Sequence, residues 1–204
     1  MANEAAMEIT PFGEGAVRIA LPAQVPRRRL LAVLRALPGV TDVVIAEAHA
    51  CVAFDPVRPV PDVAAAMRAL GTGPVDASAG LLHVVSVRYD GPDLDSLAQW
   101  AGLDREAVIA RHLARTYDVR VVGFQPGFAY LGEVDPSIAR PRLESPRVRV
   151  PKGSVGIAGG RTGIYPFASP GGWNLIGTAV DFSLFDPERG AVLQLGDRVR
   201  FERV

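Results

Sequence analysis

The sequence predicts two successive domains: an α+β N-terminal domain over residues 1–80, followed by an all-β barrel over residues 81–204. Up to residue 70, strand and helix patterns alternate in the order ββαββα, which indicates a small sandwich with helices on one face of a sheet. Residues 123–177 hold 11 of the 21 glycines and 7 of the 17 prolines, interleaved with aromatic side chains. Tight turns joining short strands, with rings packed between them, account for that composition and are typical of a closed or nearly closed barrel.

The N-terminal elements follow from apolar periodicity and from turn residues. Apolar stretches on both sides of Gly13-Glu14-Gly15 predict a hairpin, and Pro38-Gly39 ends the first helical stripe. The small-residue segment GTGPVDASAG at 71–80 predicts a linker between the domains. In chain order, the predicted elements are strands at 7–12 and 15–21, a helix at 24–37, strands near 40–47 and 49–55, and a helix at about 61–70.

The C-terminal half begins with a strand and two helices. Asp93 and Asp104 are the predicted N-caps of these helices, because an aspartate side chain accepts hydrogen bonds from the first turn, and Gly102 separates the two helices. Gly196-Asp197 is the predicted turn between the last two strands. In chain order, the predicted elements are a strand at 81–89, helices at 94–101 and 105–116, a strand at 117–124, and short strands as far as Phe201.

Bulk composition argues against several classes of protein. The formal net charge is +0 and the pI is about 6.8, so nothing electrostatic points to nucleic acid or to an anionic membrane surface. The apolar runs are far shorter than the roughly 18 residues of a membrane span, and MANEAAMEI lacks the features of a signal peptide. The single cysteine, Cys51, excludes a disulfide within the chain. We therefore expect a cytoplasmic protein that contacts neither nucleic acid nor membrane.

The sequence lacks the common metal and nucleotide motifs. Its three histidines, His49, His83 and His112, have no paired spacing, so no metal site is expected. Lys152, the only lysine, lies in Val-Pro-Lys-Gly and not at the end of a phosphate-binding loop, which excludes a Walker-type site. No serine has the Gly-x-Ser-x-Gly spacing of a hydrolase. His112 lies on a predicted helix just before the aromatic-rich window, and it is a candidate for catalysis or ligand binding.

A basic cluster lies inside the glycine-rich window. It consists of Arg140, Arg142, Arg147 and Arg149, with only Glu144 between them. One interpretation is a solvated edge. The other is a guanidinium group that binds a carboxylate or a phosphate, which suits the planar donors of arginine.

Glycine-flanked hydroxyl groups occur twice in the same window, in Gly153-Ser154-Val155-Gly156 and in Ser169-Pro170-Gly171-Gly172. Serines in this setting usually cap turns. They also fit a second interpretation, in which the loop presents backbone N–H groups and a hydroxyl to an anion. The sequence leaves both open.

Four segments of the C-terminal half, in order, resemble one bacterial family. They are GFQPGFAYLG, PR-x-RVPKGSVGIAGG-x-TGIYP, SPGGWNLIG and LFDP. The family they resemble is the PxpB/KipI family, which contains the PxpB component of 5-oxoprolinase, a sporulation kinase inhibitor and proteins labelled allophanate hydrolase subunit 1. The resemblance runs from about Val84 to Phe201 and implies an N-terminal α+β domain and a C-terminal cyclophilin-like β-barrel. Arg161, Thr178 and Ala179 depart from the residues usual in that family, and we expect them near the pocket.

The resemblance implies one subunit, inactive alone, of an ATP-dependent amide (lactam) hydrolase complex that converts 5-oxoproline to glutamate. The implied partners are a companion cyclophilin-like subunit and a TIM-barrel-like subunit, with ATP and Mg shared among the subunits and no metal held by this chain alone. His112 would act as acid, base or hydrogen-bond donor, and Arg147 would bind a carboxylate or a phosphate. The other substrate- or nucleotide-binding residues that the resemblance implies are Phe124, Pro126, Phe128, Tyr130, Ser154, Thr162, Tyr165, Ser169, Gly171, Gly172 and Trp173.

Two other functions stay open within the same family. One is an inhibitor that binds a sensor histidine kinase, and the other is a component of an allophanate hydrolase or urea amidolyase pathway. The motifs do not separate these functions, whereas the neighbouring genes would. Genes for a companion barrel protein and a TIM-barrel-like protein favour 5-oxoprolinase, sporulation genes favour the inhibitor, and an amidase or biotin carboxylase gene favours urea metabolism.

Overall fold

The computed structural model describes residues 8–21, 26–72 and 80–204. The chain divides into two compact units, residues 1–78 and residues 79–204. Most of the predicted linker, from residue 73 to residue 79, lies outside the described residues. Gly71, which the sequence predicts to end a helix, lies inside it, because that helix continues to Thr72.

Among the described residues, the N-terminal unit contains a four-stranded antiparallel sheet and two helices. The elements are β1 (Ile9–Pro11), β2 (Ala16–Ala20), α1 (Arg27–Arg35), β3 (Val40–Ile45), β4 (His49–Phe54) and α2 (Val63–Thr72). The strand order is β1-β2-β4-β3, so the predicted hairpin forms one edge of the sheet. In β4, Ala50, Val52 and Phe54 are buried and alternate with less buried residues, so one sheet face forms the core. Helix α1 contacts both β3 and α2.

The C-terminal unit is described throughout residues 80–204, and it is built around a closed seven-stranded barrel. Its elements are β5 (Leu82–Arg88), α3 (Leu94–Ala101), α4 (Arg105–Leu113), β6 (Thr116–Val122), β7 (Ala129–Gly132), a 3-10 turn (Pro136–Ile138), β8 (Arg147–Val150), β9 (Ser154–Ala158), β10 (Arg161–Ile164), β11 (Ser169–Gly171), β12 (Asn174–Val180), β13 (Phe185–Asp186), β14 (Gly190–Ala191) and β15 (Arg198–Arg203). The barrel order is β10-β7-β6-β15-β5-β12-β9, and pairing of β9 with β10 closes it. The barrel predicted from the glycine-rich window is thereby confirmed.

Strand direction within the barrel is antiparallel with one exception. Strands β5 and β15 run parallel, with Val85 opposite Phe201. Strands β8 and β11 form a separate two-stranded ribbon outside the barrel ladder. Pro170 and Gly171 of this ribbon line the cleft described below.

One apolar core fills the barrel. Val85, Leu131, Ile157 and Phe201 come from four different strands and are almost fully buried, and Leu97 of α3 packs into the same core. Fully burying a side chain of this size is worth roughly 1.5–3 kcal/mol. Burial shared by distant segments therefore holds these short strands together, because each strand alone is too short to be stable.

Helices α3 and α4 differ in the hydrogen bonds at their N-terminal ends. The Asp104 side chain accepts a hydrogen bond from Ala107 N at 2.7 Å, which confirms the predicted N-cap of α4. Gly102 follows α3 in the left-handed conformation with φ +65°. Asp93 precedes α3 as predicted, but its carboxylate makes no capping hydrogen bond. A partner elsewhere in the fold takes that carboxylate instead.

The loop before β15 differs from the prediction. A turn between two strands is predicted at Gly196-Asp197, whereas residues 192–195 form no strand. The buried Asp197 carboxylate accepts hydrogen bonds from the backbone N–H groups of Leu81 and Gln194, each at 2.9 Å, and lies 3.1 Å from His83 Nε2. These side-chain contacts shape the loop in place of a strand ladder, and they fasten it to the start of β5.

Candidate functional site

A cluster of aromatic rings forms a second, smaller core in the C-terminal unit. The buried rings of Phe128, Tyr165 and Trp173 pack together with Val150 of β8. The Phe128 ring is central, with its centroid 5.4 Å from those of Tyr165 and Trp173 and 4.9 Å from that of Tyr130. All three contacts are edge-to-face, the arrangement that the charge distribution of aromatic rings favours. The rings thus form a well-packed wall.

A cleft of about 200 Å³ opens along this wall. Three lining residues that the resemblance does not assign to the site are Arg142, Pro146 and Pro170. The lining residues that the sequence analysis names as binding residues are Phe124, Phe128, Tyr130, Tyr165, Gly171, Gly172 and Trp173. The structure therefore brings together most of the predicted pocket.

Glycine is required where the backbone passes against these rings. A methyl group at Gly171 would lie 2.9 Å from carbons of the Tyr165 ring and closer still to its hydroxyl oxygen. At Gly163 it would lie 2.9 Å from the Ala129 carbonyl oxygen and 3.2 Å from the Trp173 ring. Real side chains do not tolerate contacts this close, so only glycine lets the strands and rings approach in this way. The high glycine content of the window thus has a direct structural cause.

Phe124 lies at the rim of the cleft in a strained conformation. Its φ is +79°, in the left-handed region that a bulky residue rarely adopts. The side chain is 62% exposed, and its ring contacts Phe128 edge-on at 5.5 Å. Strained residues of this kind cluster at binding sites, where the surrounding structure holds them in place.

Tyr165 brings a hydroxyl group to the cleft. Burial raises the pKa of Tyr165, while the backbone N–H of Trp173 and the positive charges of Arg142 and Arg147 oppose the rise. The phenol therefore keeps its proton at neutral pH, and its O–H group is a hydrogen-bond donor.

Arg142 brings a positive charge to the cleft. Its side chain is exposed and makes no ion pair or hydrogen bond with the residues that the structure describes. Sequence reasoning placed Arg142 in the basic cluster but selected Arg147 as the binding residue. The sequence shows the basic cluster, but the residues next to each arginine do not indicate which one lines a cleft.

Arg147, which the sequence analysis predicts to bind a ligand, contacts groups of the protein itself. Its Nη2 lies 2.5 Å from Asp93 Oδ1, and its Nη1 donates to the Trp173 carbonyl oxygen at 3.2 Å. The second oxygen of Asp93 accepts from Leu175 N at 2.7 Å. The guanidinium thus fastens the segment 173–175 to the start of α3. Its charge is already paired with a buried carboxylate, so the predicted role in gripping a ligand does not fit this geometry.

Four predicted binding residues lie outside the cleft lining. Ser154 and Thr162 are buried, on barrel strands β9 and β10. Pro126 is exposed in the loop after Phe124, and Ser169 on β11 lies 3.5 Å from Gln125 Nε2. Ser154 and Thr162 are enclosed because both faces of β9, and of β10 beyond Arg161, are covered by neighbouring elements.

His112 is fully buried between α4 and the barrel. Its ring stacks on Phe201 with a centroid separation of 4.6 Å. Its Nδ1 lies 2.7 Å from the Tyr89 hydroxyl oxygen, and its Nε2 lies 3.0 Å from Thr162 Oγ1. The ring is not among the groups that line the aromatic cleft.

The hydrogen bonds around His112 indicate which of its nitrogens carries the proton. Thr162 Oγ1 donates to the Gly156 carbonyl oxygen at 3.0 Å, so it accepts from His112 Nε2. Nδ1 then accepts from the Tyr89 hydroxyl, whose pKa burial raises, so that it stays protonated. Burial lowers the pKa of His112 to about 3. A neutral imidazole satisfies every partner, and the predicted catalytic role has no support in this geometry.

The residues that depart from the family pattern also lie outside the cleft lining. Arg161 Nη1 lies 3.7 Å from Glu133 Oε1 and donates to the Gly160 carbonyl oxygen at 3.2 Å. Thr178 Oγ1 donates to Asp90 Oδ1 at 3.0 Å. None of the three residues, Arg161, Thr178 and Ala179, is among those that line the cleft, and the expectation that they lie near the pocket stays a prediction.

Two other kinds of site are absent from the described residues. No three His, Cys, Asp or Glu side chains in these parts of the chain lie together in a way that could hold a metal ion. Within the same residues, no helix has the length and apolar character needed to cross a membrane.

Comparison with known proteins places the chain in a family. Residues 7–194 match the family described as carboxyltransferase domain, subdomain C and D. The chain is 50% identical over 113 residues to the 5-oxoprolinase subunit designated B in Escherichia coli O157:H7, covering 54% of this chain and 51% of that protein. It is 47% identical over 116 residues to the subunit of the same name in Bacillus subtilis, and the match covers 56% of this chain and 48% of that protein. The chain thus spans about half the length of the curated relatives it matches.

Solved structures extend the comparison to nearly the whole chain. The crystal structure of TTHA0988 matches with a TM-score of 0.77 at 40% identity, covering 93% of this chain and 39% of that one. PH0987 from Pyrococcus horikoshii matches with a TM-score of 0.58 at 33% identity, covering 97% of both chains. Kluyveromyces lactis urea carboxylase shares the fold at 15% identity with a TM-score of 0.69. The match covers 97% of this chain and 22% of that one. The chain therefore belongs to the carboxyltransferase subdomain C and D family, and its similarity to these 5-oxoprolinase subunits confirms the resemblance to the PxpB/KipI family that its motifs carry.

Proposed function

We propose that this chain is one subunit of an ATP-dependent complex that hydrolyses 5-oxoproline to glutamate, and that its aromatic cleft takes part in binding the substrate. The observation that carries the proposal is the 46–50% identity to three proteins named as 5-oxoprolinase subunits. The cleft supports it, because about 200 Å³ is less than the roughly 300–1,000 Å³ of pockets for drug-sized ligands. A five-membered lactam fits a space of this size better than a nucleotide does.

The proposed reaction breaks the amide C–N bond of the lactam and adds water, which yields the amine and the second carboxylate of glutamate. ATP would supply the driving force by phosphorylating the amide oxygen, with ADP and phosphate as the other products. Such a step needs hydrogen-bond donors near the amide oxygen, where negative charge develops. Tyr165, one of the residues that line the cleft, offers one donor, and the rings of Phe128 and Trp173 pack against it.

We assign ATP and Mg²⁺ to the assembled complex and not to this chain alone. The cleft is lined by aromatic rings, glycines, prolines and one guanidinium group, with no carboxylate. Magnesium prefers oxygen ligands such as carboxylates, so this donor set does not suit it. The residues of the cleft are instead suited to hold and orient an organic substrate.

We propose two partners, a companion cyclophilin-like subunit and a TIM-barrel-like subunit. The word "subunit" in the names of the relatives supports an assembly. The matched structures support it as well, since the similar part is 39% of TTHA0988 and 22% of urea carboxylase. In both, a unit of this fold is joined to a longer polypeptide, as expected for a module that works beside others.

The test is reconstitution with the two companion proteins from the same organism. We expect the purified chain alone to release no glutamate from 5-oxoproline with ATP, and we expect release once all three proteins are present. Omitting this chain, or ATP, is the control. Robust turnover by this chain alone would contradict the proposed division of labour.

The alternative functions supply the outcomes that would replace this proposal. The same mixture is assayed with allophanate and with urea, and the chain is tested for inhibition of sensor-kinase autophosphorylation. Turnover of allophanate or urea in place of 5-oxoproline would assign the complex to urea metabolism. Kinase inhibition without any turnover would assign the chain to the regulatory branch.

A further inference from the structure

We propose that the aromatic cleft is a carboxylate-binding site in which Arg142 binds the carboxylate of a small, flat acid and the rings hold its body. The inference deepens the proposed function, on which the identity of that acid as a lactam carboxylic acid rests. It also assigns the recognition of the substrate's charge to a residue that the family resemblance did not indicate.

Charge distribution in the cleft is the first support. Arg142 is the one charged residue among the ten that line it, and none of the others is acidic. Its guanidinium makes no ion pair with the residues that the structure describes. An uncompensated positive charge beside apolar walls attracts an anion more strongly than a charge in open solvent does, because the walls lower the local dielectric constant.

The other arginines of the basic cluster serve as a comparison. Arg147 is paired with Asp93, and Arg140 Nη1 donates to Ser96 Oγ at 3.0 Å. Arg149 is exposed on β8, and it does not line the cleft. Of these four guanidinium groups, Arg142 alone lines the cleft and has no bonding partner among the described residues.

Shape and hydrogen bonding select the class of acid. Phe124 is exposed and Tyr130 is half-buried, so their rings offer surface to a ring or another planar body, and the buried rings of Phe128 and Trp173 pack behind them. The Tyr165 hydroxyl has a proton to donate, which suits a carbonyl oxygen on that body. A guanidinium group binds a planar carboxylate through two parallel hydrogen bonds. A five-membered lactam with one carboxylate offers all three features.

The test measures binding to the full chain by quenching of Trp173 fluorescence. A Trp100→Phe background removes the second tryptophan, which is 48% exposed on α3. The probes are L-5-oxoproline, its neutral carboxamide and inorganic phosphate. We expect the acid to bind at least about 10-fold more tightly than the amide, since charge-assisted hydrogen bonds are lost with the carboxylate. We also expect phosphate to compete weakly or not at all.

The variants isolate Arg142. Arg142→Gln should weaken binding of the acid on the order of 10-fold or more and make acid and amide bind alike. Arg142→Lys should retain part of the preference for the acid, because an ammonium group keeps the charge but not the planar fork. Arg149→Gln, an exposed arginine of the same cluster outside the cleft lining, is the matched control and should change binding by less than about 2-fold.

Several results would overturn the inference: no binding of the acid, equal binding of acid and amide by the unmodified chain, tighter binding of phosphate, or equal effects of Arg142→Gln and Arg149→Gln. The outcome is separable from that of the proposed function. If the complex releases glutamate while Arg142→Gln binds the acid normally, this inference fails and the proposed function stands. If Arg142 selects the acid but no complex hydrolyses it, the proposed function fails and the carboxylate site stands.

Discussion

Replacing Arg147 should destabilise the C-terminal unit, in contrast to what its sequence context predicts. The Asp93 side chain is only 11% exposed, and Arg147 Nη2 lies 2.5 Å from it. Arg147→Ala leaves this carboxylate with the Leu175 N–H as its remaining bond described above. Removing one partner of a buried ion pair costs about 3–5 kcal/mol. Because Arg147 is 28% exposed, solvent offsets part of that cost, and we expect a loss of about 2–4 kcal/mol.

Urea unfolding followed by tryptophan fluorescence measures this effect directly. Both tryptophans, Trp100 and Trp173, lie in the C-terminal unit, so the signal reports on that unit. With a slope of about 2 kcal/mol per molar urea, a loss of about 3 kcal/mol lowers the midpoint by roughly 1.5 M. Arg142→Ala, the change to the exposed arginine of the same cluster, should lower it by less than about 0.3 M.

A double-mutant cycle separates the ion pair from side effects of truncation. Arg147→Met keeps the apolar stem, and Asp93→Asn keeps an oxygen that can accept from Leu175 N. If the pair is the cause, the double variant should lose less stability than the sum of the two single variants, by about 0.5–3 kcal/mol. Additive losses, or a midpoint for Arg147→Ala equal to that of the unmodified chain, would refute the reasoning.

Three further predictions concern other parts of the C-terminal unit. Because the pKa of His112 is about 3 when folded and about 6.5 when unfolded, the unfolded chain binds the extra proton as pH falls. The contribution of His112 to the free energy of unfolding should therefore decline by about 1.4 kcal/mol per pH unit from pH 6.5 toward 3. In urea titrations at several pH values, His112→Phe should not show this part of the decline. Gly171→Ala should displace Tyr165 and abolish ligand quenching, whereas Gly160→Ala, outside the cleft lining and with no atom within 4 Å, should leave it intact. Asp104→Ala should cost about 1 kcal/mol of stability through loss of the N-cap, as measured by thermal unfolding.

Local patterns were sufficient to predict much of the fold. Helix α3 lies where Asp93 and Gly102 predict it, and the barrel follows from glycine and proline beside aromatic residues. The packing of rings such as Phe128 and Trp173 against glycines follows from the same composition, whereas their assignment to a pocket came from the family resemblance. These features depend on neighbours in sequence or on composition, which a single chain displays.

Contacts between distant segments were beyond prediction. Asp93 has the sequence of a helix N-cap, but a guanidinium 54 residues away binds its carboxylate more strongly than a backbone N–H of the first turn would. His112 was correctly placed on a helix. Its burial, however, depends on Thr162, 50 residues further along, and on closure of the barrel around it.

The two arginines of the site show why sequence spacing alone cannot assign a binding residue. Arg142 and Arg147 lie in the same basic cluster, and each has the chemistry to bind a carboxylate. The fold supplies Asp93 as a permanent carboxylate for Arg147, and that ion pair holds the Trp173 segment in place. Arg142 lines the cleft beside that segment with no such partner among the described residues. A carboxylate within the protein thus shapes the cleft through one arginine, and the other arginine is left to bind the carboxylate of a ligand.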